Sequence, residues 1–185
     1  KNVLKNFSSS VCELEAEVSE QWKEENINKA IDANIQKISR FGTTKGNATI
    51  RDDSQMPNSG VYVIEGNLTI GDGTNDFKIG NHKNKPAAQT YIVKGGTLTI
   101  NSDIRYDDSN SKLTDPRTIP SAAFIVIDGD IVINDSVEQI DGVVMAVRGK
   151  IKTDSDKPTF ENPLLINGSL IGDVYNLFTN RRAIG

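Results

Sequence analysis

Carboxylates carry most of the chemistry this chain can offer. Asp72, Asn75 and Asp76 crowd the segment after Gly71, and Asp103, Asp107 and Asp108 crowd another, with Tyr106 among them. Calcium takes hard oxygen ligands at short spacing from a loop, so Asp72, Asn75 and Asp76 are the candidate calcium ligands. Neither segment completes a calcium-loop pattern, which needs a later glutamate. Asp and Asn also gather in turns because their side chains bond nearby backbone N–H groups. Asp128, Asp130 and Asp135 surround one short segment, while Asp154 and Asp156 lie near the same point of the next. Stacked in register, these carboxylates would form one patch able to bind calcium or act on a sugar ring, although a paired-acid glycosidase needs a set carboxyl separation. Asp103, Tyr106, Asp107, Asp108, Asp128 and Asp130 are therefore the candidate binding residues.

Other chemistries lack their parts. His82 is the single histidine, which removes multi-histidine metal sites and leaves a Ser-His-Asp arrangement dependent on one residue with no nucleophile-elbow sequence nearby. No phosphate-binding glycine loop is present, and no catalytic residue is assigned. Cys12 stands alone, so disulfides do not hold the fold, and it reads as a small apolar residue on a helix. A net charge of −4 without any Lys/Arg block argues against nucleic acid as a partner. No run of 18 apolar residues exists, so no helix of this chain is expected to span a membrane. The chain opens at Lys1 rather than methionine and reads as a fragment of a longer chain, compatible with an upstream signal or anchor.

The elements that must position these residues follow from glycine spacing. Aligned on glycine, Gly46-Asn-Ala-Thr-Ile50, Gly66-Asn-Leu-Thr-Ile70, Gly96-Thr-Leu-Thr-Ile100, Gly129-Asp-Ile-Val-Ile133, Gly149-Lys-Ile-Lys-Thr153 and Gly168-Ser-Leu-Ile-Gly172 form six copies at intervals of 20, 30, 33, 20 and 19 residues. That pattern predicts stacked rungs of about 20 residues with insertions at 72–89 and 101–120. After each glycine the alternation is that of a strand. Leu68, Leu98, Ile131, Ile151 and Leu170 are expected to stack in one interior column, with Ile70, Ile100 and Ile133 in a second. Before the glycine lie runs such as Val61 to Ile64 and Phe124 to Ile127 that are apolar on both faces, as in strands covered on both sides. Lys94 breaks that series. The Asn-x-Ser/Thr sequences at Asn47, Asn67 and Asn167 read as by-products of the repeat. The insertions, polar and turn-rich, are loops on a rigid scaffold, where binding is commonly placed.

Residues 1–42 differ. They lack glycine before position 42 and carry apolar residues at Leu4, Phe7, Val11, Leu14, Val18 and Trp22, then Ile27, Ile31, Ile35 and Ile38, a helical stripe. Ser10 and Glu13 form a capping-box pattern, and Asn26 to Asn28 is a candidate break. This helical segment is expected to cover or cap the β-rich part, 43–185, with pairing to another chain as the alternative.

The repeated Gly-Asn-Leu-Thr-Ile and the closing Leu-Leu-Ile-Asn-Gly-Ser-Leu-Ile-Gly resemble bacterial surface or secreted β-solenoid repeat proteins and, more loosely, bactofilins, polymer-forming β-helix proteins. The resemblance covers about residues 60–175. It implies a mainly β, single-stranded right-handed parallel β-helix, here with an N-terminal α-helical cover. The expected function is a non-enzymatic structural or adhesive module at the cell surface or secreted, with a cell-surface polymer, carbohydrate or another protein as partner and no cofactor beyond calcium. The alternatives are a carbohydrate-binding or polysaccharide-acting β-helix using the 101–120 loop and nearby aspartates, and a self-polymerising scaffold.

Overall fold

The computed structural model describes residues 24–38, 43–80, 85–109, 112, 114–154, 159–174, 177 and 181–184. Cys12, His82, Asp156 and the apolar positions from Leu4 to Trp22 lie outside them. By contact the chain divides into two units, Lys1–Arg40 and Phe41–Gly185. In the first, helix α1 (Glu24–Ile38) runs unbroken through Asn26 and Asn28. Glu25 accepts from Lys29 at 2.6 Å and the Asn34 carboxamide donates to Ala30 O at 2.9 Å, one helical turn apart in each case.

The second unit is mainly β. In chain order its strands are β1 (Thr44–Lys45), β2 (Ala48–Ile50), β3 (Val61–Glu65), β4 (Leu68–Ile70), β5 (Phe77–Ile79), β6 (Ala88–Lys94) and β7 (Leu98–Ile100). There follow β8 (Ile104–Tyr106), β9 (Ser121–Val126), β10 (Ile131–Ile133), β11 (Gln139–Thr153), β12 (Thr159–Asp173) and β13 (Arg181–Ile184). All pairings between these strands are parallel. The sheet curls into a half-barrel, consistent with a β-solenoid-like fold. The main path runs β1-β3-β6-β9-β11-β10-β7-β4-β2, so β11 belongs to both walls. Its Ile140 pairs with Ile104 of β8, its Val143–Ala146 stretch with β9, and its Ile151–Thr153 stretch with β10. One bent strand thus meets β8, β9 and β10 in turn along its length.

Register puts like residues in columns. Leu68, Leu98, Ile131 and Ile151 are successive partners, as are Ile50, Ile70, Ile100 and Ile133. All eight are buried, each contributing on the order of 2 kcal/mol of apolar transfer. A third column holds Tyr91, Phe124 and Val144, and a fourth Phe77, Ile104 and Ile140. Two expectations are corrected by the register. Gly168 pairs with Gly142 rather than continuing from Gly149, so Leu170 meets Val144 and not Ile151. Lys94 is not an interior break, because Val93 pairs with Ile64 and leaves Lys94 beside Glu65, whose carboxylate it reaches at 3.1 Å.

The segments at 72–89 and 101–120 are more than loops. They contain β5 and β8, which pair with each other, and the second also holds a 3-10 turn, Pro116–Thr118.

The repeated glycine answers a close approach between layers. A methyl group on Gly66 would lie 2.5 Å from the carbonyl oxygen of Gly46, and one on Gly96 would press still closer on Gly66 O. On the outer side Val63, Ile92, Ile125, Met145 and Ile171 are successive partners. Val63 and Ile92 are buried, whereas Ile171 is 45% exposed.

Candidate functional site

Outward positions of β2, β4 and β7 carry Thr49, Thr69 and Thr99 in direct register. Parallel strands lie roughly 4.8 Å apart, so these hydroxyls recur at that spacing. Before them come Asn47, Asn67 and Thr97. The Asn47 side-chain carbonyl accepts from Asn67 N at 3.1 Å, and that of Asn67 accepts from Thr97 N at 2.9 Å. Asp130 repeats the contact with Lys150 N at 3.0 Å. Together the threonines and asparagines line a shallow depression of about 380 Å³.

The candidate calcium residues have partners inside the chain. Asp72 accepts from Thr74 N at 2.9 Å, Asn75 N at 3.0 Å and the Asn75 carboxamide at 3.3 Å, a local turn. Those donors, Asn75 N–H first, hold the Asp72 carboxyl below the usual carboxylate range. Asp76 faces Arg105 Nε at 3.3 Å without hydrogen-bond alignment. Among the described residues no three His, Cys, Asp or Glu side chains gather as a metal cluster.

The second carboxylate group splits by function. Asp103 takes Arg105 Nη2 at 2.7 Å on one oxygen, and Glu138 N at 2.6 Å with Gln139 N at 3.2 Å on the other. Arg105 Nη1 reaches Gln139 Oε1 at 2.5 Å, and its pKa is held up first by the Asp103 hydrogen bond. Buried Asp141 then accepts from Gln139 Nε2, Asn167 Nδ2 and Tyr106 N, each at 2.8 Å. Tyr106 accepts from Ala122 N at 3.0 Å through its hydroxyl, which burial pushes up in pKa, while the residue as a whole is 36% exposed. Asp107 closes a turn on Ser109 and is held low by it, and Asp108 is exposed. Asp103, Arg105, Gln139, Asp141 and Asn167 therefore clamp β8, β11 and β12 together.

Asp128 and Asp130 do not join Asp135 and Asp154. Asp128 pairs with Arg148 at 2.9 Å and Asp130 with Lys152 at 2.7 Å, which together with Lys150 N holds Asp130 below its usual range. Asp135 and Asp154 meet at the opposite end of β10, where Asp135 N donates to Asp154 at 2.9 Å and Asp135 accepts the Thr153 hydroxyl. Strand β10 separates the two groups.

A polar network missed by the sequence reading sits inside. Asp53, 4% exposed, accepts from Gly80 N at 3.2 Å and Gln89 Nε2 at 3.4 Å, and Tyr91 donates to Gln89 Oε1 at 2.6 Å. Burial, then the Asp53 charge, pushes the Tyr91 phenol far up. Tyr91 stacks on Phe124 at 5.1 Å and meets Phe77 edge-on at 6.1 Å. Nothing local in the sequence marks this set. Asn47, Asn67 and Asp130 were readable, since each directly follows a repeat glycine.

No protein-family model, curated protein or solved structure matches the chain.

Proposed function

We propose that this protein is a non-enzymatic structural or adhesive module of a bacterial envelope or surface protein. On this reading it is a right-handed parallel β-helix with rungs of about 20 residues, loosely bactofilin-like, and a helical N-terminal cover belongs to the same proposal. The observation that carries the reading is the in-register outward array of Thr49, Thr69 and Thr99 beside Asn47, Asn67 and Thr97. Such a face repeats one pattern of hydroxyls and amides along the stack, which suits a partner that is itself a repeating polymer. The carboxylates support the reading too, because Asp72, Asp103, Asp128 and Asp130 are engaged in turns, clamps and ion pairs.

Co-sedimentation with insoluble cell-wall glycan and with cellulose tests the proposal. Wild type is expected to sediment with at least one of them, and Thr49→Glu/Thr69→Glu/Thr99→Glu to remain in the supernatant while keeping its circular dichroism spectrum. Release of soluble sugar from either polymer, or equal binding by the triple variant, would refute it.

A further inference from the structure

The corner asparagines are committed through one atom only. A backbone N–H is a donor without acceptor capacity. The atom of Asn47 that meets Asn67 N at 3.1 Å, and the atom of Asn67 that meets Thr97 N at 2.9 Å, is therefore the carboxamide oxygen. That contact fixes the orientation of each amide. Neither Nδ2 has a hydrogen-bond partner among the described residues, and both asparagines are exposed. The hydroxyls of Thr49, Thr69, Thr97 and Thr99, which line the same depression, have no partner among the described residues either.

Donors are thus in surplus on this face. Each Nδ2 brings two N–H groups and no lone pair, while a hydroxyl serves in either role. No charged side chain lines the depression. At the next corner stands Asp130, one residue before the Ile131–Leu98 pair, with its two oxygens held by Lys150 N and Lys152 Nζ. A polyanion would find no cation in the depression and a carboxylate beside it. The ligand that complements this row is neutral and brings oxygen acceptors.

We propose that the repeating polymer bound here is a glycan of 2-acetamido sugars, an inference that rests on the polymer-binding reading of this face and narrows it. The acetamido carbonyl has two lone pairs, enough to accept from both Asn47 Nδ2 and Asn67 Nδ2, which belong to adjacent layers roughly 4.8 Å apart. Its N–H meets a threonine hydroxyl, and its methyl group lies on the threonine methyls. A hydroxyl or an amine at the same sugar carbon carries further donors to a row that already has them in surplus. A site built on a hydrogen bond discriminates against the analogue that lacks its partner, because the polar groups of the site are then left unpaired.

Chitin, chitosan and cellulose share one backbone and differ only at that carbon, which carries an acetamido group, an amine or a hydroxyl. Co-sedimentation of the full chain with each, in mildly alkaline buffer where chitosan amines are largely uncharged, is the test. Binding to chitin is expected to be about tenfold tighter than to the other two, or about 1.4 kcal/mol, and re-acetylation of chitosan should restore it. Asn47→Asp/Asn67→Asp keeps an acceptor for the next layer but removes the donors, so it should lose about tenfold in chitin affinity while keeping its circular dichroism spectrum. Asn58→Asp, which adds a charge outside the depression, should bind as wild type does. Should the double variant misfold, wild type on the three polymers still decides the question. Cellulose or chitosan bound as tightly as chitin, chitin bound equally by the double variant, or loss of binding in Asn58→Asp would each overturn the acetamido assignment and leave the polymer reading standing. A chain that leaves chitin unbound would overturn the assignment as well, and only failure on cell-wall glycan and cellulose too would take the polymer reading with it.

Discussion

The Asn67 side-chain carbonyl accepts the backbone N–H of Thr97 at 2.9 Å, although the two residues are thirty positions apart. Asn47 does the same for Asn67, and Asp130 for Lys150. At these corners the side chain after the repeat glycine satisfies an N–H of the next layer where the strand hydrogen bonds have not yet begun. An unsatisfied amide there would carry a real cost.

Asn67→Ala removes that acceptor and is expected to destabilise by about 1–2 kcal/mol. Asn67→Asp keeps an acceptor and should lose less. Urea denaturation of the pair reads the difference, and an alanine variant as stable as wild type would show that the contact contributes nothing.

Two adjacent glycines separate close approach from conformation. Gly96→Ala drives a methyl into the Gly66 carbonyl, which only a backbone shift relieves, so a loss above about 3 kcal/mol or failure to fold is expected. Gly95 has φ +67 with open space around a Cβ, and Gly95→Ala should cost about 1–2 kcal/mol. Equal melting temperatures for the two variants would contradict this account.

Phe124 stacks on Tyr91 with a tilt of 8° in the centre of the core. Phe124→Ala should cost about 3–5 kcal/mol. Tyr91→Phe keeps the stack but leaves Gln89 Oε1 without its phenol donor, at about 1–3 kcal/mol. Thermal melts followed by circular dichroism should rank the two in that order.

Acid should weaken the fold partly through Asp130. Its carboxyl is held low by Lys152 and then by Lys150 N–H. A folded pKa below the unfolded one means that the contribution is present above the unfolded value, near 3.9. It is lost as pH falls through the lower folded value, because the unfolded chain binds the proton first. The pair is partly exposed, 32% for Asp130 and 38% for Lys152, so the effect is about 0.5 kcal/mol. Asp130→Asn should flatten the acid limb of a stability-against-pH curve by that amount, and an unchanged limb would count against the pair.

Much of the β unit was legible in residue order. The glycine-led copies at Gly46, Gly66, Gly96, Gly129 and Gly149 place Leu68, Leu98, Ile131 and Ile151 in one column, because a two-residue alternation after a shared glycine leaves one register that buries them all. The copy at Gly168 shows where such reading stops. It matches the motif, yet its partner is Gly142, since a motif names a local conformation and pairing selects the layer. The candidate site was half legible for the same reason. Aspartates are visible as residues, but whether Asp130 meets Asp154 or Lys152 depends on which end of β10 each occupies.

By itself, then, the sequence determined that this chain would build parallel, glycine-hinged layers with an apolar interior, because alternation and steric permission are local properties. Only the tertiary structure decided what the polar residues do. Asp53 is buried under Gln89 and Tyr91, Asp103 holds Glu138 and Gln139, and Asn67 holds Thr97, each across at least thirty residues of chain. Those pairings exist only once the layers lie one strand spacing apart, a distance that no span of residues encodes on its own.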